Sequence, residues 1–77
     1  MSERVYVLLS VVGGQSEEVA RTLRSKCGVL ATDVLEGPPD VMMVVEARGR
    51  QQLARLMSSA LASVENMTAN MQVLPTQ

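Results

Sequence analysis

The chain has 77 residues, 7 basic and 8 acidic side chains, no histidine and a formal net charge of −1. That length holds one small domain, which buries only about 60–65% of its unfolded-chain surface. The charge balance excludes the basic stripe of a nucleic-acid binder, and Tyr6, the sole aromatic residue, supplies no stacking platform for bases.

Small chains gain stability from disulfides, metals or oligomerisation. Cys27 is the only cysteine, so no internal disulfide can form. Without histidine, and with its carboxylates scattered, the chain offers no zinc-type ligand set, so neither metal nor cofactor is expected. Oligomerisation is the remaining remedy. No long apolar run follows Glu3 and Arg4, so no signal peptide is visible. The apolar runs are far too short to cross a membrane. A lone thiol and no export signal lead us to expect a cytoplasmic protein.

The first element is a strand, Val5 to Val12, rich in β-branched residues and ending at Gly13-Gly14. A helix follows, with Ser16 as its expected N-cap and Glu17 and Glu18 at the positive end of its dipole. Val19, Leu23 and Cys27 recur every four residues beside Ala20 and predict one apolar face, so Cys27 is expected to pack. Gly28 closes the helix. A second strand runs from about Val29 to Leu35 and a third from about Val41 to Ala47, joined by the turn Glu36-Gly37-Pro38-Pro39-Asp40. The second helix spans about Arg50 to Ser63, with apolar positions at Leu53, Leu56, Met57, Ala60, Leu61 and Val64. A last strand runs from about Met67 to Leu74, and Pro75 is expected to stop it.

The order is β-α-β-β-α-β. Right-handed crossovers interleave the two halves into a four-stranded antiparallel sheet with both helices on one face, the α+β ferredoxin-like plan. No linker or second domain interrupts it, so residues 1–77 form a single domain. Such a sheet should alternate apolar and polar residues if its other face meets water. The first strand does not alternate cleanly, and the third is apolar at every position from Val41 to Val45. A monomer would therefore expose an apolar patch larger than soluble surfaces normally carry. We expect a homodimer that packs two sheets face to face or pairs their edges.

Candidate chemistry is sparse. Cys27 sits at a helix carboxyl end, which disfavours a thiolate, and no histidine can serve as its base. Glu36 and Asp40 flank one turn and would both be solvated, so a catalytic pair is not expected. Gly13-Gly14 before a helix is an anion-binding pattern, but Glu17 and Glu18 in the first turn oppose a phosphate there. No enzyme activity is expected. The turn is more informative. Gly37 can take a positive φ and two prolines preset the backbone, so Asp40 is presented at low entropic cost. Asp40 either captures an amino group or caps its own hairpin.

In these features the sequence resembles the ligand-binding module of the Lrp/AsnC regulators, the regulation-of-amino-acid-metabolism (RAM) domain. The resemblance spans nearly the whole chain. Val5-Tyr6-Val7-Leu8-Leu9 resembles the opening strand, and Gly28-Val29 the entry to the second. Gly37-Pro38-Pro39-Asp40 stands where the family has Gly-x-Tyr-Asp, and Val64-Glu65 where the family's Gly-Val-x-x-Thr begins. The family tyrosine is Pro39 here, and its threonines fall at Met67 and Ala69, with Thr68 one position away. The resemblance implies a homodimer joined through its sheets, assembling further into octameric or decameric rings. It implies a small effector, typically an amino acid, in clefts between dimers, with Gly37, Pro39, Asp40 and Thr68 as ligand-binding residues. It also implies a stand-alone module without a helix-turn-helix, not itself DNA-binding, that can join a full-length Lrp/AsnC regulator in transcription regulation. Two alternatives share the fold: an ACT-type amino-acid-sensing module of a metabolic enzyme, with Gly13-Gly14 as ligand contact, and a purely structural oligomerisation domain.

Overall fold

A computed structural model describes residues 2–75 of the chain. The elements are β1 (Glu3–Val11), α1 (Ser16–Arg24), β2 (Val29–Val34), β3 (Val41–Ala47), α2 (Arg50–Ala62) and β4 (Thr68–Pro75), with a short 3-10 turn at Glu65–Met67 before β4. They form one antiparallel sheet of four strands in the order β2-β3-β1-β4, the expected ferredoxin-like α+β arrangement.

Strand alternation explains where the core sits. In β1 and β3 the residues Val5, Val7, Leu9, Val41, Met43 and Val45 point to one face, and all are buried. Val19 and Leu23 of α1 and Leu53 and Ala60 of α2 meet them, with Val64 closing the layer. The cluster is aliphatic throughout, so its stability comes from area removed from water, at about 25 cal/mol per Å².

Several boundaries differ from the sequence reading. Gln15, not Ser16, is the N-cap of α1, and its side chain makes no capping hydrogen bond. The end of α1 explains Cys27. Ser25 N–H donates to Thr22 O (3.3 Å) and Lys26 N–H to Leu23 O (3.1 Å). This i to i−3 tightening leaves the 3.6-residue period before Cys27 is reached. Cys27 is consequently exposed rather than packed. Met67 belongs to the 3-10 turn, held by its N–H to Val64 O at 3.0 Å, so β4 begins at Thr68. Pro75 continues β4 instead of stopping it; an edge strand tolerates proline because one side of its backbone needs no ladder bond.

The second sheet face is the one expected. The register places Tyr6 opposite Val44 and Leu8 opposite Met42. All four are only half-buried, on the face away from the core. No helix or further strand covers them among the described residues, and of the loop 35–40 Pro38 and Pro39 border a recess beside Leu8 and Ser10.

One buried polar atom lacks a partner. Thr32 is 5% exposed on β2, and its Oγ1 makes no hydrogen bond among the described residues. Its backbone carbonyl, in contrast, accepts Arg24 Nε (3.3 Å) and Nη2 (3.0 Å). Replacing an orphaned hydroxyl by a methyl of the same shape removes a desolvation penalty. Thr32→Val is expected to stabilise the fold by about 1 kcal/mol in urea denaturation. A loss of stability would show that the hydroxyl has a partner in solution.

Candidate functional site: two recesses astride the last strand

The turn begins where β2 ends. Leu35 N–H donates to Asp40 O at 2.7 Å and closes the loop. Gly37 takes φ +76°, the left-handed conformation that favours glycine, and no atom lies within 4 Å of where its Cβ would stand. The Pro38–Pro39 peptide is cis.

Asp40 is wired into the sheet. Its N–H donates to Leu9 O at 2.8 Å. Its Oδ2 accepts Val11 N–H, also at 2.8 Å. The carboxylate thus takes the place that a backbone carbonyl would hold one step further along the β1–β3 ladder. The β1–β4 register shifts at Ser10 and Val11, so this bond fastens the strand at an irregular point. A carboxylate has about four acceptor sites, and this bond uses one. Asp40→Ala leaves the half-buried Val11 N–H without its acceptor and is expected to lower stability by about 2 kcal/mol. Asp40→Asn keeps an oxygen there and should lose about half as much. Chemical denaturation of the two variants checks the order; equal, negligible losses would mean that the bond contributes nothing.

Two recesses lie on opposite sides of β4. The larger, an open groove of ≈ 630 Å³, runs between the outer side of α2 and the start of β4. Leu61, Ala62, Ala69 and Met71 give it an apolar floor, and Ser58, Glu65, Thr68 and Asn70 rim it. The smaller, ≈ 210 Å³, lies on the open sheet face under the turn, among Leu8, Ser10, Pro38, Pro39, Asn70 and Gln72. Asn70 and Met71 border both. Of the residues expected at a ligand site, Pro39 lines the smaller recess and Thr68 the larger. Gly37 and Asp40 line neither; Asp40 stands behind the turn, bonded to β1. Thr68 Oγ1 donates to Val64 O at 2.9 Å, so its hydroxyl proton is used locally while its oxygen can still accept. Sequence reasoning did not single out Glu65, Ser58 or Asn70. The first two lie on helical elements and Asn70 on β4, and only the fold brings them together.

A further recess of ≈ 310 Å³ sits at the opposite end of β3, bordered by Cys27, Glu46, Arg48 and Gln52. Among the described residues no three or more Cys, Asp or Glu side chains converge as a metal site. No helix among them is long and apolar enough to cross a membrane.

No family model matches the chain, and no curated protein matches it. Solved structures do. FFRP-DM1 is similar with a TM-score of 0.85 at 16% identity, covering 97% of this chain and 99% of that one. The transcriptional regulator NMB0573 from Neisseria meningitidis, solved with L-Met, is similar with a TM-score of 0.76 at 16% identity, covering 97% of this chain and 49% of that one. PH0061 has a TM-score of 0.84 at 14% identity, and the chain spans 52% of its length. A putative antibiotic biosynthesis monooxygenase from Bacteriodes thetaiotaomicron matches more loosely, with a TM-score of 0.64. At such identities the likeness establishes the fold. The same fold occurs in a transcriptional regulator and in a putative monooxygenase, and the chain spans about half the length of two of the proteins named.

Proposed function

We propose that the chain is an effector-binding and oligomerisation module of the Lrp/AsnC type, acting in transcription regulation without contacting DNA itself. The open sheet face carries this reading: Tyr6, Leu8, Met42 and Val44 form an apolar centre that, among the described residues, no helix or further strand covers. A second copy placed sheet against sheet would cover it, and such dimers would assemble further into octamers or decamers. The regulator fold with bound L-Met supports the kind of ligand, a small molecule such as an amino acid.

The ligand would sit where β4 meets the turn, between neighbouring dimers. Pro39 and Gly37 would shape the turn side, and Thr68 the strand side. Asp40 has acceptor capacity left after binding Val11 N–H and would attract the ligand amino group. The ligand would favour one assembly state, or association with a full-length regulator, only in so far as it binds that state more tightly. A second reading, a purely structural module, draws on the same bond, because Asp40 already has a role within the sheet.

Thermal denaturation with each of the twenty common amino acids at millimolar concentration tests the proposal. A ligand at a hundred times its Kd adds about 2.7 kcal/mol to stability, so at least one amino acid should raise Tm by several degrees. No shift with any of them, in a preparation that remains oligomeric, would leave the structural module.

A further inference from the structure

Both edges of the sheet carry a register shift, but they differ in charge. β2 is guarded: Arg24 covers the Thr32 carbonyl with two hydrogen bonds, and the register shifts between Val29 and Ala31. Side chains on edge groups and bulges are devices by which proteins stop strands from adding to a sheet. β4 has a register shift too, at Ala69, and the short neutral side chain of Asn70 on one outward N–H, but no charged group from another element covers it among the described residues. Its eight residues, Thr68 to Pro75, include no charged side chain, and Met71, Val73 and Leu74 are exposed.

The directions of its backbone groups follow from the ladder. Leu9 O accepts Asp40 N–H, so Leu9 faces β3. By alternation Tyr6, Leu8 and Ser10 face β4, and their partners Leu74, Gln72 and Asn70 face back. Met71 and Val73 therefore turn their N–H and C=O outward. Met71 N–H is held meanwhile by the neighbouring Asn70 Oδ1 at 2.8 Å, a bond that one side-chain rotation releases.

The recesses lie where an added strand would put its side chains. Residues of an added strand opposite Met71 and Val73 would point to the helix side, over the groove floored by Leu61, Ala62 and Ala69. Those opposite Asn70 and Gln72 would point to the other side, into the smaller recess under Pro38 and Pro39. Edge pairing gives affinity through the main chain, and alternate pockets give selectivity. Glu65 is the only charged residue lining either recess, and it lies just before the start of β4.

We infer that β4 is a docking edge for an extended peptide segment of another protein, added antiparallel to Thr68–Pro75. The segment carries aliphatic residues at alternate positions, small polar residues between them, and a Lys or Arg at its carboxyl end opposite Glu65. This site uses the edge of the sheet and meets the open face, through which subunits would pair, only at the smaller recess beside Leu8 and Ser10.

A displayed library of extended octapeptides, with Val, Ile, Leu and Thr varied at alternate positions and a carboxyl-terminal Lys, tests the inference against the full chain. Enriched peptides should bind in fluorescence anisotropy and shift backbone amide resonances of residues 69–74. Methylating the peptide amide nitrogens that face β4 should weaken binding about tenfold or more. Val73→Pro removes one outward N–H without touching the β1 ladder and should do the same. Val73→Lys keeps the backbone and places a charge on the exposed edge, with the same expected loss. No enrichment, equal binding of methylated peptides, or resonance shifts outside β4 would each overturn the inference. So would a change of oligomeric state in Val73→Pro, which would show that a second copy of the chain occupies the edge.

Discussion

Gly28→Ala is expected to destabilise the fold by about 3 kcal/mol, the largest loss for such a change among the five glycines. Two causes add. Gly28 takes φ +85°, a left-handed conformation that costs an L-residue about 1–2 kcal/mol. A Cβ there would also collide with Leu56 Cδ1 and lie 3.4 Å from Glu46 O. The backbone cannot swing aside cheaply, because Gly28 O accepts Glu46 N–H at 2.9 Å and joins β2 to β3. Overpacking adds about 1–3 kcal/mol. Gly37→Ala separates the causes: its φ is +76° but its Cβ would meet open space. It should lose only the conformational part, about 1–2 kcal/mol. Urea midpoints of both variants give the comparison, and equal losses would refute the packing argument.

Leu8→Glu is expected to separate the subunits while leaving each one folded. Leu8 is at the centre of the open face, half-buried in the subunit, between Met42 on β3 and Gln72 on β4. In the proposed dimer it would lose its remaining water. A carboxylate sealed there without a partner costs several kcal/mol, and about 3 kcal/mol already raises the dissociation constant about a hundredfold. Light scattering on the eluting protein should show a smaller species than the parent chain, with an unchanged circular dichroism spectrum. The same mass for both would place the subunit contact elsewhere.

The fold was legible because its cues agreed at each level. β-branched strands, the spacing of Leu53, Leu56, Ala60 and Val64, and glycines at 28 and 37 all indicated one topology. The unbroken apolar run in β3 likewise indicated a face that the helices could not cover. The misreadings have specific causes. Cys27 lies on a helical stripe that ends where hydrogen bonds shorten to i−3, and periodicity carries no warning of that. Met67 and Pro75 mark strand ends, where one residue either way depends on tertiary hydrogen bonds.

The site was less legible. Asp40 stood out as a carboxylate on a preset turn, but its bond to Val11 joins residues 29 positions apart. No local pattern reveals such a contact. The groove beside β4 gathers Ser58 and Glu65 with Asn70 only after α2 has crossed back over the sheet. The chain's similarity to the solved structures named above, a transcriptional regulator among them, is likewise a property of its shape, at 14–16% identity for three of them.

The central claim is that the open face is an interface between copies of this chain. Sedimentation velocity of the unmodified protein at micromolar concentration addresses it most directly. The expected result is a species of at least twice the 8.3 kDa subunit mass, with no appreciable subunit peak. A single 8.3 kDa species under those conditions would contradict it.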